Sequence, residues 1–180
     1  MKTMLKFFTF VAVLFGFSSI SFAQGTQSTA SATAVAGGRI IQPLKLIATK
    51  ALEFGDIIKG ENTVTVAANG SRTATNTDLL LTLTSGGKTP QAAEFEIEGE
   101  PGLAYVVTYE SNVVLNGPDN SATMSVESFT TNATLTLPNG STEGTTAGKD
   151  TFNVGASLTV SADQKPGVYE GTFTVTVNYN

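Results

Sequence analysis

The chain has 180 residues, with 10 basic and 15 acidic side chains and no histidine, cysteine or tryptophan. A net charge of −5 disfavours nucleic acid and anionic membrane surfaces as partners. Losing histidine and cysteine together removes the usual general base, the usual thiol nucleophile and the commonest zinc ligands, so the chain reads as non-enzymatic, with no cofactor or metal expected.

Lys2 and Lys6 form a positive n-region, residues 7–17 an apolar h-region too short to cross a bilayer, and Ser21-Phe22-Ala23 a small-x-small cleavage pattern. Residues 1–23 are therefore expected to be a signal peptide, with the mature chain starting at Gln24 and exported to the periplasm, cell surface or extracellular space. Without Lys2 and Lys6 the basic count falls to 8 against 15 acidic residues, a net charge of −7. The remainder, roughly 157 residues, suits one domain with a single core. It has no second long apolar run, so no stable membrane insertion is expected after cleavage.

Residues 24–38 are small and polar. Ala30, Ala32, Ala34 and Ala36 alternate with Ser31, Thr33 and Val35. The segment reads either as a flexible leader or as a strand-forming arm that pairs with a sheet edge in its own chain or a neighbour.

Residues 39–180 read as one β-domain. The first strand spans 39–47, and Pro43 inside it makes it an edge strand or one that breaks at the proline. Residues 52–57 give a short strand and bend. In 63–68, Val64 and Val66 share a face, and Asn69-Gly70 signals a two-residue type I′ hairpin returning through 72–75. Strands follow at 79–84 and at 92–98, with Phe95 and Ile97 inward and Glu94, Glu96 and Glu98 outward. Others fall at 103–109, 113–115, 124–130 and 134–137. In 124–130, Met124 and Val126 point inward, with Phe129 a further candidate. Residues 116–119 form a turn and 138–148 a glycine-rich loop. Residues 152–160 place Phe152, Val154, Ala156, Leu158 and Val160 in phase, and 163–167 turn the chain into a strand over 167–180. There Phe173, Val175, Val177 and Tyr179 share one face. Burying these four would contribute about 6–12 kcal/mol as an upper estimate. Roughly ten short strands, short connections and no helix predict an all-β, immunoglobulin-like antiparallel sandwich.

Three stretches carry a family resemblance: the small-residue arm running into Ile40-Ile41-Gln42-Pro43-Leu44; Leu52-Glu53-Phe54-Gly55-Asp56-Ile57; and Phe152-Asn153-Val154-Gly155-Ala156 through Gln164 to Tyr179. Together they resemble the secreted bacterial domain-of-unknown-function family 4402. That resemblance implies the fold and export and carries no mechanism. The final strand also resembles that of chaperone–usher pilin subunits, with Tyr179 penultimate and Gly167 fourteenth from the end. This second resemblance implies that a neighbour's arm, here the stretch holding Ala30 to Ala36, completes the fold by strand addition. The arm is alanine-rich where pilin arms carry larger apolar residues, and the common pilin disulfide is absent.

Other motifs have plain readings. Ser85-Gly86-Gly87-Lys88-Thr89 imitates the end of a phosphate loop, but Thr82 stands where the motif needs glycine and Pro90 blocks the helix, so it reads as a hairpin loop. Glu94, Glu96, Glu98 and Glu100 lie about 7 Å apart along a strand, too far for one compact cation site, and read as a solvated face. Tyr105, Tyr109, Tyr169 and Tyr179 read as half-buried core rather than a sugar platform. The glycosylation-like triplets at Asn69, Asn132 and Asn139 read as turn and strand residues.

Two functional expectations follow. One is a non-enzymatic exported subunit of the bacterial surface or a pilus-like appendage, with copies of itself or pilus-type subunits as partners. Its assembly residues would be Ala30, Ala32, Ala34, Ala36, Gly167, Phe173, Val175, Val177 and Tyr179. The alternative is a monomeric extracellular binding module for polysaccharide or a surface protein, using loops such as 138–148.

Overall fold

A computed structural model describes residues 29–81, 87–118, 121–138 and 148–180. The expected signal peptide, the first part of the phosphate-loop-like motif, Asn139 and most of the 138–148 loop lie outside them. The chain divides into two units, Met1–Arg39 and Ile40–Asn180. In the first, residues 29–39 form no regular secondary structure and every one is exposed.

The second unit is built around one long strand. Alternation across residues 152–160 continues back to Gly148, giving β8 (Gly148–Val160). Val154 pairs with Ala93 on one side and Thr131 on the other, and Leu158 with Val64 and Val126. So β4 (Ala93–Gly99) and β2 (Asn62–Val66) occupy successive halves of one edge of β8, and β7 (Thr123–Thr131) runs along the other. Beyond β4 lies β1 (Lys45–Lys50), beyond β2 lies β3 (Arg72–Ala74), and beyond β7 lies β6 (Asn112–Asn116). A two-stranded sheet of β5 (Tyr105–Tyr109) and β9 (Val175–Tyr179) forms the second layer. Every ladder is antiparallel. The protein is an all-β sandwich.

Its core follows the period of two. Phe95, Ile97, Phe152, Val154, Leu158, Val64 and Val66 are buried from the large sheet, and Tyr105 enters from the small one. Phe95 stacks on Phe152 with centroids 5.6 Å apart. Burial first, and then the Asp150 carboxylate, pushes the Tyr105 phenol above its ordinary pKa.

Several local expectations are corrected. The first strand begins at Lys45, after Pro43, rather than at Arg39, and it lies at the edge of the large sheet. The β2–β3 connection is not a type I′ turn. Ala67 and Ser71 are bonded across it (2.9 Å), Gly70 donates to Ala67 O (2.8 Å), and only Gly70 has positive φ, +81°. That is a three-residue loop with Gly70 at its left-handed position. In place of the strand at 79–84, Thr77–Leu79 form one 3-10 turn capped by Asn76, whose side chain accepts from Asp78 N; residues 82–84 lie outside the described ones. In β7 the register shifts between Glu127 and Thr130 and Ser128 takes φ +56°. That bulge puts both Val126 and Phe129 inward, which strict alternation forbids. The final strand is shorter than expected: β9 begins at Val175, and residues 171–174 form no ladder.

Candidate functional site

The run into β9 is extended well before the strand begins. Glu170 and Asn116 exchange backbone hydrogen bonds of 2.9 and 2.8 Å, Thr174 N donates to the Glu110 carboxylate (3.3 Å), and Asn180 N donates to Ala104 O (3.1 Å). The even-numbered backbone groups thus face β5 and β6. Successive residues of a strand direct their N–H and C=O to opposite edges, so Gly171, Phe173, Val175, Val177 and Tyr179 face away. Among the described residues no strand pairs with that edge. The side chains of Phe173, Val175, Val177 and Tyr179 pack against the core from the same residues, each only partly buried.

Beside this run lies an open groove of about 1010 Å³. One wall is the continuous stretch 50–59, the other the continuous stretch 164–173, and Phe95, Val126, Phe129, Leu158 and Val160 contribute its apolar floor. Phe173 lines it as well, its ring centroid 5.2 Å from that of Phe129 and edge-on to that of Phe95 at 6.2 Å. Ile58, Leu81 and Val168 are exposed on its margin. The volume is at the top of the range for small-ligand pockets, about 300–1,000 Å³.

Both walls are braced by side-chain contacts. Arg72 donates to Phe54 O (3.0 Å) and Leu81 O (2.8 Å), and its Nη1 sits where a side chain on Gly55 (φ +78°) would be. Lys88 pairs with Glu53 at 3.0 Å, and that carboxylate holds the Lys88 amine above its ordinary 10.5. On the other wall, Tyr169 donates to Lys165 O (2.8 Å) and accepts from Gln164 Nε2 (2.7 Å), while Lys165 Nζ reaches Ser121 Oγ (2.8 Å). Gly167 takes φ +153° and lies against the Pro118 ring, with no room for a Cβ. None of these contacts uses the residues of the apolar floor.

The expected assembly residues therefore separate into two groups. Phe173, Val175, Val177 and Tyr179 come together on one face with the open edge, and Gly167 lines the groove at its turn. Ala30, Ala32, Ala34 and Ala36 are exposed in a segment without regular structure. Sequence reasoning missed the groove floor and the braces Arg72, Gln164 and Tyr169. A groove is a missing neighbour, and alternation within each strand carries no mark of it.

The acidic stripe is an ion-paired surface. Lys50 meets Glu94 at 2.7 Å, and Lys149 meets Glu96 and Glu98 at 3.5 Å each. The tyrosines form no shared platform: Tyr105 is buried, Tyr109 lies beside Phe129, Tyr169 braces the wall, and Tyr179 bonds Gln42 and Glu100. Asn69 Oδ1 accepts from Ser71, and Asn132 Oδ1 from Asn153 N, as turn and strand residues do. Among the described residues no helix is long and apolar enough to cross a membrane.

The family model with the description "Domain of unknown function (DUF4402)" matches residues 44–179. No curated protein and no solved structure matches the chain.

Proposed function

The chain belongs to the family described as Domain of unknown function (DUF4402), and from that footing we propose that it is a non-enzymatic, exported structural subunit of the bacterial surface or a pilus-like appendage, assembling by β-strand addition. The observation that carries this reading is the braced apolar groove beside a strand edge without a partner among the described residues. An unpaired strand edge is a template for another chain. Backbone hydrogen bonds give such a joint its affinity, and alternate side chains give it its specificity.

The occupant is the arm of a neighbouring copy, with Ala30, Ala32, Ala34 and Ala36 toward the floor. The arm has no charged residue between Gln24 and Gly38, as a segment entering an apolar groove requires. Each subunit then offers an arm and a groove. Such head-to-tail contacts build open filaments unless the rotation closes a ring.

Size-resolved native electrophoresis of the full chain over a range of concentrations tests the reading. A regular ladder is expected, collapsing to monomer when residues 24–38 are deleted. A strictly monomeric chain, or a ladder indifferent to the deletion, overturns it.

A further inference from the structure

Residues 171–174 have a strand's sequence and a strand's backbone direction without a strand's ladder. Thr172, Phe173 and Thr174 continue the alternation of β9, yet β9 begins at Val175. The groove lies beside this stretch, since its lining covers 164–173 and does not reach Val175. At the far end of the same edge the Tyr179 phenol bonds Gln42 and Glu100 and ties the two layers together.

From this we infer that the incoming strand is received on the Gly171-to-Val175 part of the open edge, and that pairing there extends β9 back to Gly171; the inference rests on the strand-addition reading above. The occupant is residues 30–36 of a second copy. Phe95, Phe129 and Phe173 pack together on the groove lining at this point, an apolar surface that small apolar side chains at alternate positions can lie against.

The partner's backbone supplies what residues 171–174 lack. Gly171 and Phe173 each gain a donor and an acceptor partner, while Glu170 keeps its bonds to Asn116 and Thr174 its bond to Glu110. The Tyr179 end stays as it is. On the receiving side the joint extends an existing strand whose backbone already alternates in the required sense, so the ordering cost falls on the arm.

Amide hydrogen exchange on the full chain, with monomer and oligomer fractions separated by size, tests this. In the oligomer the amides of Gly171 and Phe173 should exchange at least about tenfold more slowly than in the monomer. The Tyr179 amide should be unchanged, and Glu170 should be protected in both. An oligomer in which Gly171 and Phe173 exchange as fast as in the monomer overturns this inference and leaves strand addition to another edge. Slow exchange at both positions in the monomer also overturns it. A chain that forms no oligomer contradicts the proposed function, and this inference with it.

Discussion

Tyr179 donates its phenolic hydrogen to the carbonyl of Gln42 at 2.7 Å. The same oxygen accepts from Glu100 N at 2.6 Å, and the Glu100 carboxylate accepts from Gln42 N at 3.0 Å. The three residues close one end of the sandwich, joining β9 to the lead-in of β1 and the end of β4. Among the described residues no comparable triad closes the other end, along 164–173, where the groove lies.

Replacing Tyr179 with phenylalanine keeps the ring and removes the joint. It leaves Glu100 N and Gln42 O to find water, so the unfolding free energy should fall by about 1–2 kcal/mol. Urea unfolding with an unchanged slope checks this. A change of only a few tenths would mean that the closure adds no stability.

The core and the groove should respond differently to truncation. Phe152 is fully buried between Phe95 and Tyr105, so Phe152→Ala should cost about 3–5 kcal/mol. Phe173 is half-buried at the groove, so Phe173→Ala should cost less than half as much. It should weaken assembly by about tenfold or more, as loss of a central apolar anchor does. Unfolding curves and sedimentation on the two variants separate these effects.

Two glycines are held for different reasons. A Cβ on Gly155 would overlap the Val66 carbonyl and lie 2.6 Å from Ala67 C, where β8 crosses the end of β2. Backbone would have to move, and Gly155→Ala should cost about 2–3 kcal/mol. Gly70 has open space but φ +81°, so Gly70→Ala should cost only about 1 kcal/mol. Thermal unfolding should rank them in that order.

The acidic stripe gives a pH dependence of definite sign. Hydrogen bonds from Lys50 and then Thr49 hold the Glu94 carboxyl below its ordinary 4.5. A depressed folded-state pKa contributes stability above the unfolded value and loses it as pH falls through the folded one. The stability gap between the natural chain and Lys50→Met should therefore be constant near neutrality and close as pH drops below 4.5. Glu98 and Glu96 raise the Lys149 amine above 10.5. Its contribution is complete below that value and fades as pH rises through the folded one, so the gap to Lys149→Met should close in strong alkali. Both groups are exposed, so both gaps are small.

Strands whose neighbours lie on both sides were the most legible. β4 and the second half of β8 bury every alternate residue, and their pattern alone located them. Phe129 was less legible because the bulge at Ser128 reverses the phase within β7, and a left-handed serine leaves no mark in composition. The strand expected at 79–84 begins with a 3-10 turn, since Asn76 offers its side chain to Asp78 N and the backbone follows that cap. The stretch from Gly167 to Tyr179 was read correctly as apolar on one face but too long as a strand. Its alternation reports the face it presents, and its ladder depends on a neighbour that residues 171–174 lack. The groove was not legible at all, because it lies between stretches far apart in sequence, 50–59 and 164–173, and no local pattern encodes that.

The central claim is that the arm of one chain lies in the groove of another. The chain has no native cysteine, so a pair of single-cysteine variants reports that contact directly. Ala34→Cys sits in the arm and Ala48→Cys on the groove lining; Thr73→Cys, exposed on β3, is the control. Mixing Ala34→Cys with Ala48→Cys under mild oxidation should give a disulfide-linked heterodimer well above the yield of Ala34→Cys with Thr73→Cys. Equal yields from the two mixtures would contradict the account.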